Sequence, residues 1–276
     1  MTIHAFSLRA TADSSPKIPL GWTEVIQSLP ENARVLGIKN ENLGMWMGYC
    51  DAWGYDPNVQ KRYAEMVTSS QGLHPDSAQQ YIPFQRTDFN LFPLMRVGAI
   101  LLDNPHEPLI RTPKPMELAQ LIPNATVLSD RNEILMAVQA LQLEPRELVF
   151  LESDPKIKLT NKKSIAGTVK IVRQSTDDIE FEIDTADNAI LLVTNSYSRS
   201  WRARPVGQSA QDKYEVMPAD WAFQAIPLLA GKHHLILEYR PKMFVIGRVI
   251  SIVSLVGYVA AWIWYAWMRR KNRRAA

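Results

Sequence analysis

Apolar and polar positions change rhythm twice along this chain. From residue 21 to about 153 the spacing switches between helical and strand-like. Thr23 to Leu29 reads as a short helix stopped by Pro30, and Arg34 to Ile38 as a short strand before the turn-rich Asn40 to Asn42. Asp56-Pro57 reads as a helix start, with Asp56 as cap and Val59, Tyr63, Met66 and Val67 following at helical spacing. Asp88 opens a second expected helix carrying Leu91, Phe92, Leu94 and Met95. Ala99 to Leu102 and Ala125 to Leu128 read as strands, Asp130 as the cap of a helix reaching Leu143, and Leu148 to Leu151 as a closing strand. Strands alternating with helices predict a small α/β domain.

Beyond the lysine-rich segment Lys156 to Lys163 the period shortens to two. Thr168 to Arg173, Ile179 to Ile183, Ala189 to Thr194, Trp201 to Val206, Lys213 to Met217, Trp221 to Ile226 and His233 to Tyr239 are seven candidate strands. Short, regularly spaced strands with polar turns predict a β-sandwich. The second change comes after Arg240-Pro241. Val249 to Met268 is twenty residues without a charge, roughly 30 Å as a helix, which matches the hydrocarbon core of a bilayer. Trp262, Trp264, Tyr265 and Trp267 crowd its far end, where aromatic rings favour headgroups.

The expected class is therefore α+β, a small α/β domain followed by a β-sandwich of about seven strands and one C-terminal transmembrane helix. The expected organisation is a loose N-terminal segment (1–20), an α/β extracytoplasmic domain (21–153), a linker (154–167), the sandwich (168–241), the membrane helix (243–268) and a basic tail (269–276). That tail holds Arg269, Arg270, Lys271, Arg273 and Arg274, which predicts a cytoplasmic C-terminus and soluble parts outside. The first twenty residues have no apolar stretch of signal-peptide type. Two readings follow: an outside domain that requires upstream membrane helices of a longer or split polypeptide, or the reversed orientation of a tail-anchored cytoplasmic protein.

Net charge is +3 overall, but the tail carries five positive charges and the remainder nets −2, so no nucleic-acid footprint is expected. The single cysteine, Cys50, excludes an intrachain disulfide framework and a cysteine zinc cluster. His233 and His234 are adjacent and fall on opposite strand faces, and the other histidines lack ligand spacing. No metal and no cofactor are expected. No nucleophile elbow, Walker loop or dinucleotide fingerprint appears, and no catalytic residue is assigned.

Two segments are candidate binding surfaces. Asp56, Arg62 and Tyr63 suit a polar acceptor or a lipid-linked sugar near the membrane; their first reading is a helix cap, its ion-pair partner and a core ring. Trp53 and Tyr55, with Trp46 and Tyr49, make an aromatic group that fits either sugar faces or docking onto membrane helices. Trp201 and Arg202, after a serine-rich turn, and Trp221 read first as sandwich packing.

Several blocks resemble the C-terminal extracytoplasmic part and last helix of YfhO-like bacterial membrane proteins, a family of GT-C glycosyltransferase type. They are Gly54-Tyr55-Asp56-Pro57 with Lys61-Arg62-Tyr63, Leu91 to Leu102, and above all Ala189 to Pro241. The last contains a Ser-Tyr-x-x-x-Trp-Arg-Ala turn, a Pro-x-x-Ala-Gly-x-His turn and a Tyr-x-Pro exit. Departures occur at Ser198-Arg199-Ser200 and Val206-Gly207, both in turns. The resemblance spans roughly residues 30 to 265 and implies a module that assists glycosyl transfer from a lipid-linked donor to a cell-envelope acceptor polymer, without being catalytic alone. The other expected reading is a single-pass anchored protein that binds a glycan or a protein. Its partners would be the lipid bilayer, a lipid-linked sugar or envelope polymer, and upstream helices.

Overall fold

The computed structural model describes residues 21–38, 42–54, 59–82, 84–86, 91–102, 109–112, 114–140 and 146–275. The chain is α+β and divides into two compact units, Met1–Asp56 with Pro83–Glu117, and Pro57–Ile82 with Leu118–Ala276.

The first unit is built on a four-stranded sheet, β1 (Arg34–Gly37), β2 (Cys50–Asp51), β3 (Val97–Leu101) and β4 (Leu109–Arg111), in the order β2-β1-β3-β4. β1 runs parallel to β2 and β3, while β4 returns antiparallel to β3. β3 is buried at every position, as an interior strand of a sheet covered on both faces should be. Helix α1 (Trp22–Gln27) and the one-turn helix α2 (Gly44–Met47) flank it, and Trp22, Val35, Leu43 and Leu101 form a local core with Ile26, Leu29, Met47 and Tyr49. The helix expected after Asp88 does not form over residues 91–96, which are a series of turns. Pro93 has no N–H to donate, and Arg96 turns the backbone to φ 60° into β3. Asp88 itself lies outside the described residues.

The second unit is a sandwich with helices on one side. Its six-stranded sheet has the order β5-β10-β13-β12-β7-β6, with β5 (Ala119–Ile122), β6 (Asn124–Val127), β7 (Leu148–Leu151), β10 (Ala189–Val193), β12 (Met217–Ala219) and β13 (Phe223–Leu228). Its four-stranded partner has the order β11-β14-β9-β8, with β8 (Gly167–Gln174), β9 (Asp178–Thr185), β11 (Trp201–Pro205) and β14 (Gly231–Tyr239). Strict alternation in β9 aims Ile179, Phe181 and Ile183 inward, where they meet Leu235 and Leu237 of β14 and Leu191, Val193, Ile226 and Leu228 of the larger sheet. β10 and β13 are buried along their whole length, so their other face is covered too. Helix α3 (Lys61–Ser70) lies there, with Tyr63 edge-on to Phe223 at 6.3 Å. Helix α4 (Arg131–Gln139) is joined to α3 through Gln139 Nε2 donating to Ser69 Oγ.

The boundary expected at 154–167 falls inside this unit. β5, β6 and β7, placed by their spacing in the α/β domain, complete the sheet whose centre is β10 and β13. β6 and β7 are parallel and enclose α4, a local pattern that reads as α/β until its sheet partners are known. Other elements shift as well. α3 begins at Lys61 with Gln60 as its uncapped N-cap; Asp56 and Pro57 lie outside the described residues. Asp130 caps α4 as its sequence suggests, its Oδ1 accepting from the N–H groups of Asn132 and Glu133, but the helix ends at Gln139. The strand expected over Lys213 to Met217 forms later, as β12, leaving Tyr214 as a single bridge to Ala203. Trp221 precedes β13 in a turn instead of opening that strand.

β14 continues through Arg240 and Pro241 into helix α5 (Lys242–Ala275). Lys242–Arg269 is long and apolar enough to cross a membrane, and no part of its apolar window is buried.

Candidate functional site

Arg62, on the first turn of α3, is the centre of a polar cluster in the second unit. Its guanidinium pairs through both nitrogens with Glu152, just past β7, with Nη2 to Oε2 at 3.1 Å. Nη1 also donates to the carbonyl of Trp221 at 3.1 Å. The same guanidinium lies 4.2 Å from the Trp221 ring centroid and 5.4 Å from that of Tyr197. An arginine between a carboxylate and two aromatic faces uses its planar fork and its charge together.

The cluster extends through the indole. Trp221 Nε1 donates to Glu65 Oε2 at 2.9 Å, and Glu65 Oε1 accepts from Arg131 at 3.2 Å with Lys61 at 3.7 Å. Glu65 is only 3% exposed. It belongs to the helix face that also buries Tyr63, Met66 and Val67, and two hydrogen-bond donors with the nearby Lys61 charge compensate its burial. Arg131 continues to Asp76, whose carboxyl is held below the usual range by that hydrogen bond. A cleft of about 330 Å³ opens beside this end, lined by Val59, Lys61, Glu65, Asp76, Gln79 and Gln80.

A strained turn presents Trp221. Asp220 and Trp221 have φ of 46° and 69°, and Ala222 N donates to Asp220 O at 2.9 Å across two residues. This is a γ-turn in the unfavourable hand. Asp220 is 1% exposed; its Oδ1 accepts from Phe150 N at 2.9 Å, and its Oδ2 has no partner among the described residues. Burial pushes its carboxyl up to about 7, against the lowering effect of the Phe150 N–H. Left-handed conformations cost about 1–3 kcal/mol each and persist where the surroundings enforce them. Here the Arg62 and Glu65 contacts to Trp221, with the paired backbone of Phe150, do so.

The other sequence-selected residues fall elsewhere. Tyr63 is a core ring. Tyr55 and Asp56 lie outside the described residues. Trp53 belongs to the first unit, where it is buried edge-on to Phe84 at 6.4 Å. Trp201 packs on Tyr239 at 5.3 Å on the neighbouring β14, and Arg202 is exposed beside it. Arg62, Tyr63 and Trp221 thus come together, whereas Trp201 and Arg202 sit on the other sheet. Spacing did not point to Glu65, Arg131, Tyr197 or Glu152 as members of the cluster. Tyr197 was at least visible in the Ser-Tyr-x-x-x-Trp-Arg-Ala block.

The adjacent histidines separate as strand alternation requires. His233 is buried, its Nδ1 2.7 Å from Tyr214 Oη and its Nε2 2.8 Å from Leu229 O. Nε2–H donates to that carbonyl, so Tyr214 donates to Nδ1. Burial holds the imidazole below its ordinary pKa. His234 faces outward to Glu180 at 2.7 Å. In the first unit, Asp51 Oδ2 accepts from Gly44 N at 3.1 Å, and burial raises its carboxyl to about 6. A Cβ on Gly44 would stand 2.4 Å from that oxygen, so the contact requires glycine.

No family model, curated protein or solved structure matches this chain.

Proposed function

We propose that this chain is the C-terminal extracytoplasmic module and last membrane helix of a YfhO-like, GT-C-type membrane protein. In that role it holds a cell-envelope acceptor at the outer membrane surface for glycosyl transfer from a lipid-linked donor. Catalysis is supplied by membrane-embedded partners. The observation that carries the reading is the join between β14 and α5: only Arg240 and Pro241 separate the last strand from the exposed apolar helix. A link of two residues keeps the sandwich at the headgroups, where a lipid-linked donor presents its sugar. The sequence blocks at Lys61 to Tyr63 and Ala189 to Pro241 support the family. The basic end of α5 supports an inside C-terminus.

A second reading is a single-pass anchor that binds a glycan or protein without any part in transfer. The internally paired Arg62 cluster favours it, because a group engaged on every side is a structural brace more readily than a reactive site.

Two measurements test these readings. Cys50 is the only cysteine and is exposed, so a membrane-impermeant maleimide should label it in intact cells. Labelling only after permeabilisation overturns the orientation. Deleting the gene should then stop sugar transfer to the envelope polymer while the lipid-linked donor persists. Unchanged transfer overturns the first reading in favour of the second.

A further inference from the structure

The end of the sandwich nearest α5 is identified by hydrogen bonds as well as by connectivity. Arg240 N donates to Ser200 O at 2.8 Å, and Tyr239 N donates to Asp177 O at 2.7 Å. The loops Ser196–Ser200 and Ser175–Asp177 therefore lie beside the first turn of α5. Trp201, the first residue of β11, pairs in register with Tyr239 and stacks on it.

The charges at this end are mostly positive. Arg199 and Arg202 are exposed and have no carboxylate partner among the described residues. Glu238, opposite Arg202 in the register, already serves Arg204 and Arg240. Arg240 remains 63% exposed. Lys242 opens α5, and the first turn of that helix contains no acidic residue. A lysine at the positive end of a helix dipole is unfavourable without nearby anions. Asp177 is the exposed carboxylate on the other side of the balance.

Distances along α5 place these cations at the membrane surface. Lys242 precedes Val249, where the charge-free stretch begins, by seven residues, about 10 Å of helix. The headgroup layer of one leaflet is roughly 5–7 Å thick. Arg248 then lies among the headgroups, and the Lys242 backbone sits a few ångströms beyond them, within reach of its long side chain. Met243 and Phe244, both exposed, lie at the outer edge of the layer.

We propose that the Ser196–Ser200 loop, the start of β11 and the first turn of α5 form a surface that binds anionic phospholipid headgroups. Arg199, Arg202 and Lys242 are the phosphate-binding cations, and Arg240 assists them. The Trp201–Tyr239 pair keeps the β11 edge fixed behind them. The surface sets the angle of the sandwich to the bilayer, and with it the height of anything bound to the second unit. This rests on α5 spanning the membrane. It does not depend on glycosyl transfer.

The full-length chain should be reconstituted in nanodiscs of phosphatidylcholine, with and without phosphatidylglycerol, and amide exchange followed at Tyr197–Ser200 and Asp177. Each basic side chain near an anionic surface is expected to shift the docked-to-undocked ratio roughly fivefold. Exchange should be slower in the anionic discs, and the difference should fade at high salt. Arg199→Glu with Arg202→Glu, both surface positions, should abolish the difference, and Lys242→Glu should reduce it independently. A chain that stays in the aqueous phase without detergent overturns the spanning reading and this proposal with it. A chain that incorporates but exchanges equally in both discs at low salt overturns this proposal alone.

Discussion

Arg62 meets Trp221 twice, through its guanidinium 4.2 Å from the ring centroid and through Nη1 donating to the Trp221 carbonyl at 3.1 Å. The carbonyl is available because the positive φ at Asp220 and Trp221 turns the chain back there before β13 begins. Replacing Arg62 by Ala leaves Glu152 without its guanidinium and Trp221 without its facing cation. Arg62 and Glu152 are each about a quarter exposed, so the loss should be about 2 kcal/mol, less than for a fully buried pair. Arg62→Lys should recover under half of it, because an ammonium lacks the planar fork. Urea unfolding of the full chain in detergent measures both, and a cycle with Glu152→Gln isolates the pair.

Asp220 makes stability pH-dependent in a direction opposite to the usual salt-bridged carboxylate. Its folded pKa, about 7, lies well above the ordinary range of an aspartic acid, so the folded state holds the proton more tightly. The contribution is fully present below about pH 4 and is lost as pH rises through 7. Asp220→Asn keeps an oxygen for Phe150 N and tolerates the left-handed turn. Its melting temperature relative to the native chain should rise between pH 5 and pH 8, by an amount worth up to a few kcal/mol. A difference that is flat over that range contradicts the buried-carboxylate account.

Gly167 opens β8 where the two sheets of the sandwich approach each other. A Cβ there would stand 2.5 Å from Asp184 O and 2.6 Å from Leu121 Cδ1. Leu121 can move, but the strand carbonyl is held in the β8–β9 ladder. Gly167→Ala should destabilise the fold by about 1–3 kcal/mol through overpacking. Thermal melts followed by near-ultraviolet dichroism would report it.

Val259 lies near the middle of the charge-free part of α5 and is exposed. A lysine there should cost about 3 kcal/mol of membrane insertion. Val259→Lys is expected to lower the membrane-integrated fraction in a carbonate-extraction assay, while Val259→Leu leaves it unchanged.

Legibility in the sequence followed the range of the interaction. β9 and β14 were readable because alternation reports which face is buried, whatever lies opposite. Asp130 was readable as a cap because the groups it serves are two and three residues away. Ala119 to Ile122 has no alternation or strong strand composition, and it becomes β5 only by lying beside β10. Pro93 blocked a helix that its neighbours' spacing favoured. The Arg62 cluster joins residues 90 and 156 positions apart, Arg62 to Glu152 and Glu65 to Trp221. No local signal links such positions.

The sequence by itself determined the periodicities: two for the sandwich strands, helical for α3 and α4, and twenty uncharged residues in α5. These follow from side-chain geometry within a few residues. Only the tertiary structure decided that β5 to β7 join the sandwich and that Trp221 turns toward Arg62. It alone placed Arg199, Arg202 and Lys242 at one end of the second unit. Those outcomes depend on which surfaces meet when apolar faces are buried, and that choice is made across the whole chain.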